Sequence, residues 1–299
     1  MNKAEHFKSG FVAVVGRPNV GKSTMINALI GDKIAIVSDK AQTTRNRIIC
    51  VYTDEEKQIV FMDTPGVHKP KHKLGEFMVD AAIESLKETE AVLFVVAGNE
   101  KRGPGDNFII EQLKRVKVPV FLVVNKIDTL QKEQVLEAIV SYQDAYPFAG
   151  VIPISAKNKE NLSELLNVLG EHLPEGPQYF PEDMITDQPE RLIISDIVRE
   201  KILLSTRDEI PHAIAVDVDE MKTRDDGTTY IRATIYCERD SQKGIIIGNK
   251  GALLRMIGAE ARIDIQKLLA TKVYLDLWVK VKKDWRNKSG MLSELGYKK

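Results

Sequence analysis

Cysteine is scarce in this sequence, which contains Cys50 and Cys237 and no other. The two residues lie far apart and outside any C-x-x-C pattern, which argues against a disulfide framework and against a cysteine-built zinc site. Two isolated cysteines are typical of a protein that stays reduced in the cytosol. With 299 residues, the chain is long enough to form two domains with ordinary hydrophobic cores.

Long apolar runs are also absent. The longest, such as residues 91–98, are less than half the roughly 20 residues that a membrane-spanning helix needs. The first ten residues, MNKAEHFKSG, lack the apolar core of a secretory signal. We therefore expect a cytoplasmic protein that contacts the inner face of the cell membrane at most peripherally.

The sequence has no excess of charge of one sign, since 43 lysines and arginines balance 43 aspartates and glutamates. No global field therefore draws the whole protein to nucleic acid or to a membrane. The charges are unevenly distributed, however, because acidic residues dominate 181–240 and basic residues dominate 241–299. A local basic surface is expected in the C-terminal part of the chain.

The first 173 residues alternate between short apolar runs and longer segments with helical spacing. The runs predict buried strands at 11–16, 58–63, 91–96, 118–125 and 150–155, with an edge strand over 47–54. The spacing predicts helices over 22–30, 75–88, 106–116, 131–145 and 160–173. This alternation indicates an α/β fold with a mostly parallel sheet and helices on both faces, whose ligands bind at the carboxyl ends of the strands.

A proline-rich segment then interrupts the periodicity, and a second domain follows it. We predict a first domain over 1–174, a linker over 175–189 and a second domain over 190–299. The second domain is expected to be α+β: a helix over 190–205, strands within 212–221, 230–239 and 272–282, and a helical last segment. Residues 244–247 are interpreted as an apolar strand before a glycine-rich turn.

Residues 16–23, GRPNVGKS, follow a predicted strand and begin a predicted helix, as the P-loop motif G-x-x-x-x-G-K-S requires. Glycines allow backbone N–H groups to surround phosphates at the helix N-terminus. Lys22 is expected to reach the terminal phosphates, and Ser23 is expected to supply a hydroxyl to Mg²⁺. The predicted phosphate-binding residues are Gly16, Arg17, Pro18, Asn19, Val20, Gly21, Lys22, Ser23 and Thr24.

Three further motifs end predicted strands in the same half. In D-T-P-G, Asp63 is expected to hold Mg²⁺ and the Gly66 N–H to approach the γ-phosphate, with Thr64, Pro65 and Val67 beside them. In N-K-I-D, the Asp128 carboxylate can accept two hydrogen bonds from guanine, which adenine cannot donate. Its neighbours are Asn125, Lys126 and Ile127. S-A-K adds Ser155, Ala156 and Lys157 near the base, where the Ala156 N–H is expected to meet guanine O6.

These motifs, in this order, resemble the translation-factor-related GTPases, and GRPNVGKST with KAQTTR at 40–45 resembles the Era family in particular. The resemblance implies GTP and GDP as ligands, Mg²⁺ as cofactor, and slow hydrolysis of GTP to GDP and phosphate. Lys22, Thr44 and Gly66 would be catalytic, with Ser23, Thr44 and Asp63 around Mg²⁺. Thr43 remains an alternative to Thr44. Val67 occupies the position of a water-orienting glutamine in Ras-type proteins, and Asn19 would bind K⁺, whose charge would lie where an arginine finger acts.

Residues 244–258 contain a second glycine motif, Gly248-Asn249-Lys250-Gly251, within the basic part of the chain. A G-x-x-G loop before a helix resembles that of a type II KH domain and allows close approach of an RNA backbone. The predicted RNA-binding residues are Ile247, Gly248, Asn249, Lys250, Gly251, Leu254 and Arg255. This part again resembles Era, which implies a monomer that binds 16S rRNA near its 3′ end and assists assembly of the 30S subunit.

Two other functions are compatible with parts of this pattern. One is an RNA-binding scaffold with a vestigial nucleotide site, which the complete set of nucleotide motifs disfavours. The other is a metabolic P-loop kinase, although such kinases lack N-K-I-D combined with S-A-K. Lysine-dependent GTP turnover separates the first alternative from a GTPase, and phosphoryl transfer to small acceptors tests the second.

Overall fold

The computed structural model describes residues 6–38, 40, 43–66, 72–206 and 210–297. Contacts divide the chain into two compact units. The first comprises most of the chain up to residue 187, and the second comprises the remainder with two short segments, 36–38 and 72–74. No helix in these ranges has the length and apolar character needed to cross a membrane.

The first unit contains a six-stranded sheet with the strand order β2-β3-β1-β4-β5-β6. Its strands are β1 (Lys8–Val15), β2 (Ile48–Thr53), β3 (Lys57–Asp63), β4 (Ala91–Ala97), β5 (Val120–Asn125) and β6 (Gly150–Pro153). β2 is antiparallel to β3 at the edge of the sheet, and the other neighbouring strands are parallel. The predicted strands and the predicted mostly parallel sheet are confirmed.

Helices follow the strands at their predicted positions. They are α1 (Lys22–Ile30), α2 (Lys73–Glu84), α3 (Pro104–Leu113), α4 (Lys132–Gln143) and α5 (Leu162–His172). Along β1, Val12 and Val14 pack into one apolar cluster, and Ala13 and Val15 pack into another. Since successive side chains of a strand point to opposite faces, the sheet is covered on both sides.

The segment predicted as a linker is bound along the sheet up to residue 187. Gln58 of β3 is fully buried and its Oε1 accepts hydrogen bonds from the backbone N–H groups of Tyr179 and Phe180, at 2.8 and 2.9 Å. Its Nε2 donates to the Phe180 carbonyl at 2.9 Å. Further along, the Val51 N–H donates to the Ile185 carbonyl at 2.9 Å. We call residues 177–187 the strap, because they are fixed to the edge of the first unit.

The second unit packs helices on a three-stranded sheet. Its elements are α6 (Glu190–Ser205), α7 (Ile210–Ala213), β7 (Ala215–Thr223), β8 (Thr229–Cys237), α8 (Asp240–Ile247), α9 (Ala252–Leu269), β9 (Val273–Val281) and α10 (Ser289–Glu294). β7 is antiparallel to β8, and β8 is parallel to β9. Isoleucines from α6, α8, α9 and the strands form its core. The predicted α+β fold, with a helix before the sheet, is confirmed.

One prediction about this unit is wrong. Residues 244–247, interpreted as a strand, are the end of helix α8. The Gln242 side chain accepts hydrogen bonds from the N–H groups of Glu238 and Arg239, at 2.9 and 3.1 Å, and so caps the start of this helix. Ile246 is fully buried while Ile245 is half exposed. An apolar run this short has no periodicity that separates a strand from one turn of helix.

Candidate functional site

The loop between β1 and α1 is closely packed around its glycines. A Cβ atom on Gly16 would lie 2.3 Å from the Val95 carbonyl oxygen. Gly21 has a φ of +96°, and a Cβ there would lie 2.2 Å from Nδ2 of Asn125. Neither position can accept a side chain without moving backbone or a buried amide. The predicted P-loop residues 16–24 therefore form a tight turn whose last part is the first turn of α1.

Lys22 is buried and its ammonium group points back over this turn. Nζ donates to the carbonyl oxygens of Gly16 and Arg17, at 3.1 and 3.0 Å. Burial lowers the pKa of Lys22 from 10.5 to about 8, and the nearby charge of Asp63 offsets part of this shift. A buried cation whose hydrogen bonds, within the described residues, go to carbonyl groups is well suited to bind an anionic phosphate.

Three side-chain oxygens meet beside the P-loop. Ser23 Oγ donates to Asp63 Oδ2 at 2.8 Å, and Thr44 Oγ1 donates to the same oxygen at 3.2 Å. The two hydroxyl oxygens are 3.0 Å apart. Of the two threonines left open by the sequence, Thr44 therefore places its hydroxyl in this cluster, and its side chain is buried.

The oxygen cluster fits a magnesium ion. Asp63 is fully buried, and its second oxygen, Oδ1, has no hydrogen-bond partner among the residues that the structure describes. Burial raises the pKa of Asp63, while Lys22 and the hydroxyls of Ser23 and Thr44 lower it. Mg²⁺ prefers hard oxygen ligands and is often held by one carboxylate together with phosphates. Among the described residues, no group of three histidines, cysteines or acidic residues offers a closed metal cage.

The residues after β3 pack directly against the P-loop. Thr64 is buried and its hydroxyl donates to the Val14 carbonyl at 2.7 Å. A Cβ on Gly66 would lie 2.8 Å from both Cα and N of Pro18. The backbone of 64–66 thus depends on glycine for its close approach to the P-loop. Val67, where the sequence lacks a polar side chain, lies outside the described residues.

Asn125 connects three loops at the carboxyl ends of the strands. It is almost fully buried, and its Nδ2 donates to the Val20 carbonyl at 2.9 Å. Its Oδ1 accepts from the N–H groups of Lys126 and Ala156, at 2.7 and 3.0 Å. The Ala156 N–H was predicted to meet guanine O6. Because Asn125 already uses this donor, the base would have to share it.

Asp128 lies at the surface of the same edge of the sheet, in the turn formed by Ile127–Thr129. The Ser155 hydroxyl donates to its Oδ1 at 2.7 Å and accepts from the Asn158 N–H at 3.1 Å. This bond holds the carboxylate while its side chain stays exposed. Lys126 adopts a left-handed backbone with a φ of 68°, and Lys157 is exposed. The N-K-I-D and S-A-K motifs therefore lie together.

The G-x-x-G loop joins α8 to α9 in the second unit. Gly248, Lys250 and Gly251 have φ values of 71°, 47° and 77°. A Cβ on Gly248 would lie 2.7 Å from Cβ of Leu253. The Lys250 carbonyl is held by Arg255 Nη1 at 2.9 Å. Ile247 ends α8, and Asn249 begins the short turn between the two helices.

A groove of about 520 Å³ opens beside this loop, between α9 and β9. Gly251, Leu254 and Arg255, which the sequence predicted as RNA-binding, line it. Six further residues that sequence reasoning missed also line it: Gly258, Ala259, Arg262, Tyr274, Leu275 and Leu277. The helical spacing of 254, 258 and 262 could have indicated the first three, whereas the strand residues depend on long-range packing.

Comparison with known proteins finds two families that match separate parts of the chain. A family described as 50S ribosome-binding GTPase matches residues 11–126, and a KH domain family matches residues 209–286. A crystal structure of an Aquifex aeolicus Era variant bound to GDP·AlF4⁻ is 43% identical, with a TM-score of 0.94. The match covers 97% of this chain and 99% of that one.

A second solved structure is that of Era in complex with MgGDPNP and nucleotides 1506–1542 of 16S ribosomal RNA. It is also 43% identical, with a TM-score of 0.95, and the match covers 98% of this chain and 99% of that one. The similarity therefore extends over both units and is not confined to the nucleotide motifs.

Proposed function

Because this chain belongs to the Era family and is therefore a GTPase that uses guanine nucleotide and Mg²⁺, we propose which of its residues bind and cleave GTP and which RNA it binds. The observation that carries the proposal is the oxygen cluster of Ser23, Thr44 and Asp63 beside the buried Lys22. We also propose that 1–174 forms the GTPase domain, 175–189 the connection and 190–299 the RNA-binding domain.

Nucleotide binding would use the three motif groups already described. The P-loop residues 16–24 surround the phosphates, with Lys22 leaving the carbonyls of Gly16 and Arg17 to meet them. Asp128, held by Ser155, accepts two hydrogen bonds from guanine, and the stem of Lys126 covers the base plane. Adenine would leave the Asp128 carboxylate facing an unmatched edge, which is a strong basis for selectivity.

Hydrolysis would depend on positioning rather than on a protein base. Ser23 and Thr44 would hold the metal directly, and Asp63 would hold it through water. When bound there, Mg²⁺ would supply positive charge that stabilises the transferring phosphoryl group. Lys22 adds a second positive charge, and the Gly66 N–H can approach the γ-phosphate because Gly66 lies against Pro18.

Val67 has no polar side-chain atom with which to orient the attacking water. Backbone groups near Thr44 or a bound cation would have to serve in its place. Asn19 is the proposed ligand of a potassium ion, as its place in GRPN implies. A slow intrinsic rate follows, which suits a switch better than a metabolic enzyme.

RNA would bind in the groove between α9 and β9. The relative described above was crystallised with the 3′ nucleotides of 16S rRNA, and the corresponding RNA is the proposed ligand of this chain. The turn at 248–251 lets a sugar–phosphate backbone approach, and Lys250, Arg255 and Arg262 supply charge. We also propose that the protein acts as a monomer and assists assembly of the 30S subunit. Its basic C-terminal segment is proposed to contact anionic membrane peripherally.

Filter binding of RNA containing the 16S 3′ end tests this proposal. Affinity for the RNA should be higher with a non-hydrolysable GTP analogue than with GDP, because in switch GTPases the γ-phosphate orders the loops that contact it. Equal affinities would show that the bound nucleotide does not control RNA binding. Failure to bind this RNA in either state would contradict its assignment as the ligand. Crosslinking in cells, with mapping of the recovered fragments, would identify the bound sequence. A scaffold with a vestigial nucleotide site is not favoured, because the oxygen cluster and the glycine-lined P-loop are both intact.

A further inference from the structure

Arg17 of the P-loop is held by two acidic residues outside the nucleotide motifs. Its Nε donates to Asp106 Oδ1 at 2.9 Å, and its Nη2 forms an ion pair with Glu100 Oε2 at 2.9 Å that does not have hydrogen-bond geometry. Asp106 is fully buried on α3, whereas Glu100 lies in the turn after β4 with 41% of its side chain exposed. Gly105 permits this approach, because a Cβ there would lie 2.8 Å from Cδ of Arg17.

The backbone of Arg17 is itself part of the phosphate site. Its carbonyl oxygen is one of the two that hold Lys22 Nζ. Fixing the Arg17 side chain on α3 and the β4 turn therefore fixes the loop on which Lys22 rests.

Glu100 also reaches the guanine motif. Its second oxygen, Oε1, lies 3.7 Å from Nζ of Lys126, whose side chain is 31% exposed. One carboxylate thus faces a cation from the P-loop with one oxygen and a cation from N-K-I-D with the other. Each cation follows a different strand, so Glu100 joins the phosphate side of the site to the base side.

We propose that Glu100 and Asp106 are positioning residues for guanine nucleotide: they hold Arg17, and Glu100 ties the P-loop to Lys126. The inference rests on the proposed nucleotide-binding function. It also makes a prediction opposite in sign to simple electrostatics. Removing a negative charge near a phosphate site should strengthen anion binding if charge alone matters. Removing a positioning contact should weaken it.

Glu100→Gln separates these outcomes, because it keeps the size of the side chain and removes its charge. The rate of release of the fluorescent nucleotide mant-GDP is measured by stopped flow in the full-length protein. We expect release to accelerate by about two- to fivefold, the range for a partly exposed ion pair. Unchanged or slower release would overturn the proposal. The control is Glu111→Gln on α3, whose exposed carboxylate pairs with Lys114 and should leave release unchanged.

Two further measurements distinguish positioning from a general loss of structure. The thermal midpoint of the nucleotide-free Glu100→Gln protein should match that of the wild type. In an Arg17→Met background, Glu100→Gln should have a smaller effect than in the wild type, since both substitutions remove the same contact. Full additivity would contradict the role of Arg17.

Asp106 needs a different design because its Oδ2 also accepts from the Gly103 N–H at 2.8 Å and caps α3. Asp106→Asn could therefore fail to fold. Arg17→Met breaks the same ion pair without altering the cap and should accelerate release at least as much as Glu100→Gln. If the wild type itself does not retain mant-GDP, the proposed function fails. If it does and the variants match it, only the positioning role fails.

Discussion

Replacing Asn125 by alanine should loosen the whole nucleotide edge of the first unit. The side chain makes three buried hydrogen bonds, to the Val20 carbonyl and to the N–H groups of Lys126 and Ala156. At a net value of about 0.5–1.5 kcal/mol each, their loss should lower the stability of this unit by about 1.5–4.5 kcal/mol. The lower end applies if water enters the space and satisfies the three backbone groups.

Hydrogen exchange followed by mass spectrometry is the suitable assay, because it reports each unit separately, whereas Trp278 and Trp285 both lie in the second unit. Peptides covering 16–24 and 153–158 should lose protection, and those of the second unit should not. The control is Asn107→Ala, whose exposed side chain accepts one hydrogen bond from Arg102 Nε. If Asn125→Ala lowers the stability of the first unit by less than about 0.5 kcal/mol, the effect of an ordinary surface substitution, the three hydrogen bonds do not hold this edge together.

Four other substitutions or conditions test separate parts of the structure. Asp63→Asn should weaken Mg²⁺ binding by about 10- to 100-fold, measured as the Mg²⁺ dependence of mant-GDP retention; an unchanged dependence would exclude Asp63 from the metal site. Gln58→Ala should increase hydrogen exchange of the strap, and no increase would mean that its three hydrogen bonds do not hold it. Lys250→Ala should weaken RNA binding and reduce its salt slope by about 1, whereas a change confined to one RNA sequence would indicate base contact instead. Hydrolysis should be faster in K⁺ than in Na⁺, and Asn19→Ala should abolish the difference; equal rates in the wild type would contradict the potassium site.

Sequence patterns predicted most of the first unit because its strands are buried on both faces. Such strands appear in the sequence as continuous apolar runs, and turns with glycine or proline separate them from the helices. The motifs could be predicted to lie together, because each follows the end of a parallel strand and the carboxyl ends of such strands meet at one edge of the sheet. The structure adds the reason for particular residues: Gly21 and Gly66 face Asn125 and Pro18 too closely for any side chain.

Features that depend on contacts between distant residues were not predictable. Gln58 interrupts an apolar strand as a polar residue, and only the position of Tyr179 and Phe180 shows why it is buried. The sequence favours Thr44 over Thr43 by family resemblance alone, and only the structure places the Thr44 hydroxyl beside that of Ser23. The β9 side of the groove depends on the parallel pairing of β8 with β9, which no local pattern specifies.

Single-turnover hydrolysis of GTP in the presence of Mg²⁺, by the wild type and by Lys22→Ala, tests the central claim most directly. Lys22 is the buried cation that the P-loop carbonyls hold in place, so its loss should slow hydrolysis by at least about 100-fold, as for removal of one preorganised transition-state donor. Circular dichroism should show that the variant remains folded. Magnesium-dependent turnover that requires Lys22 is the result we predict, and turnover equal in both proteins, or absent from both, would contradict the account.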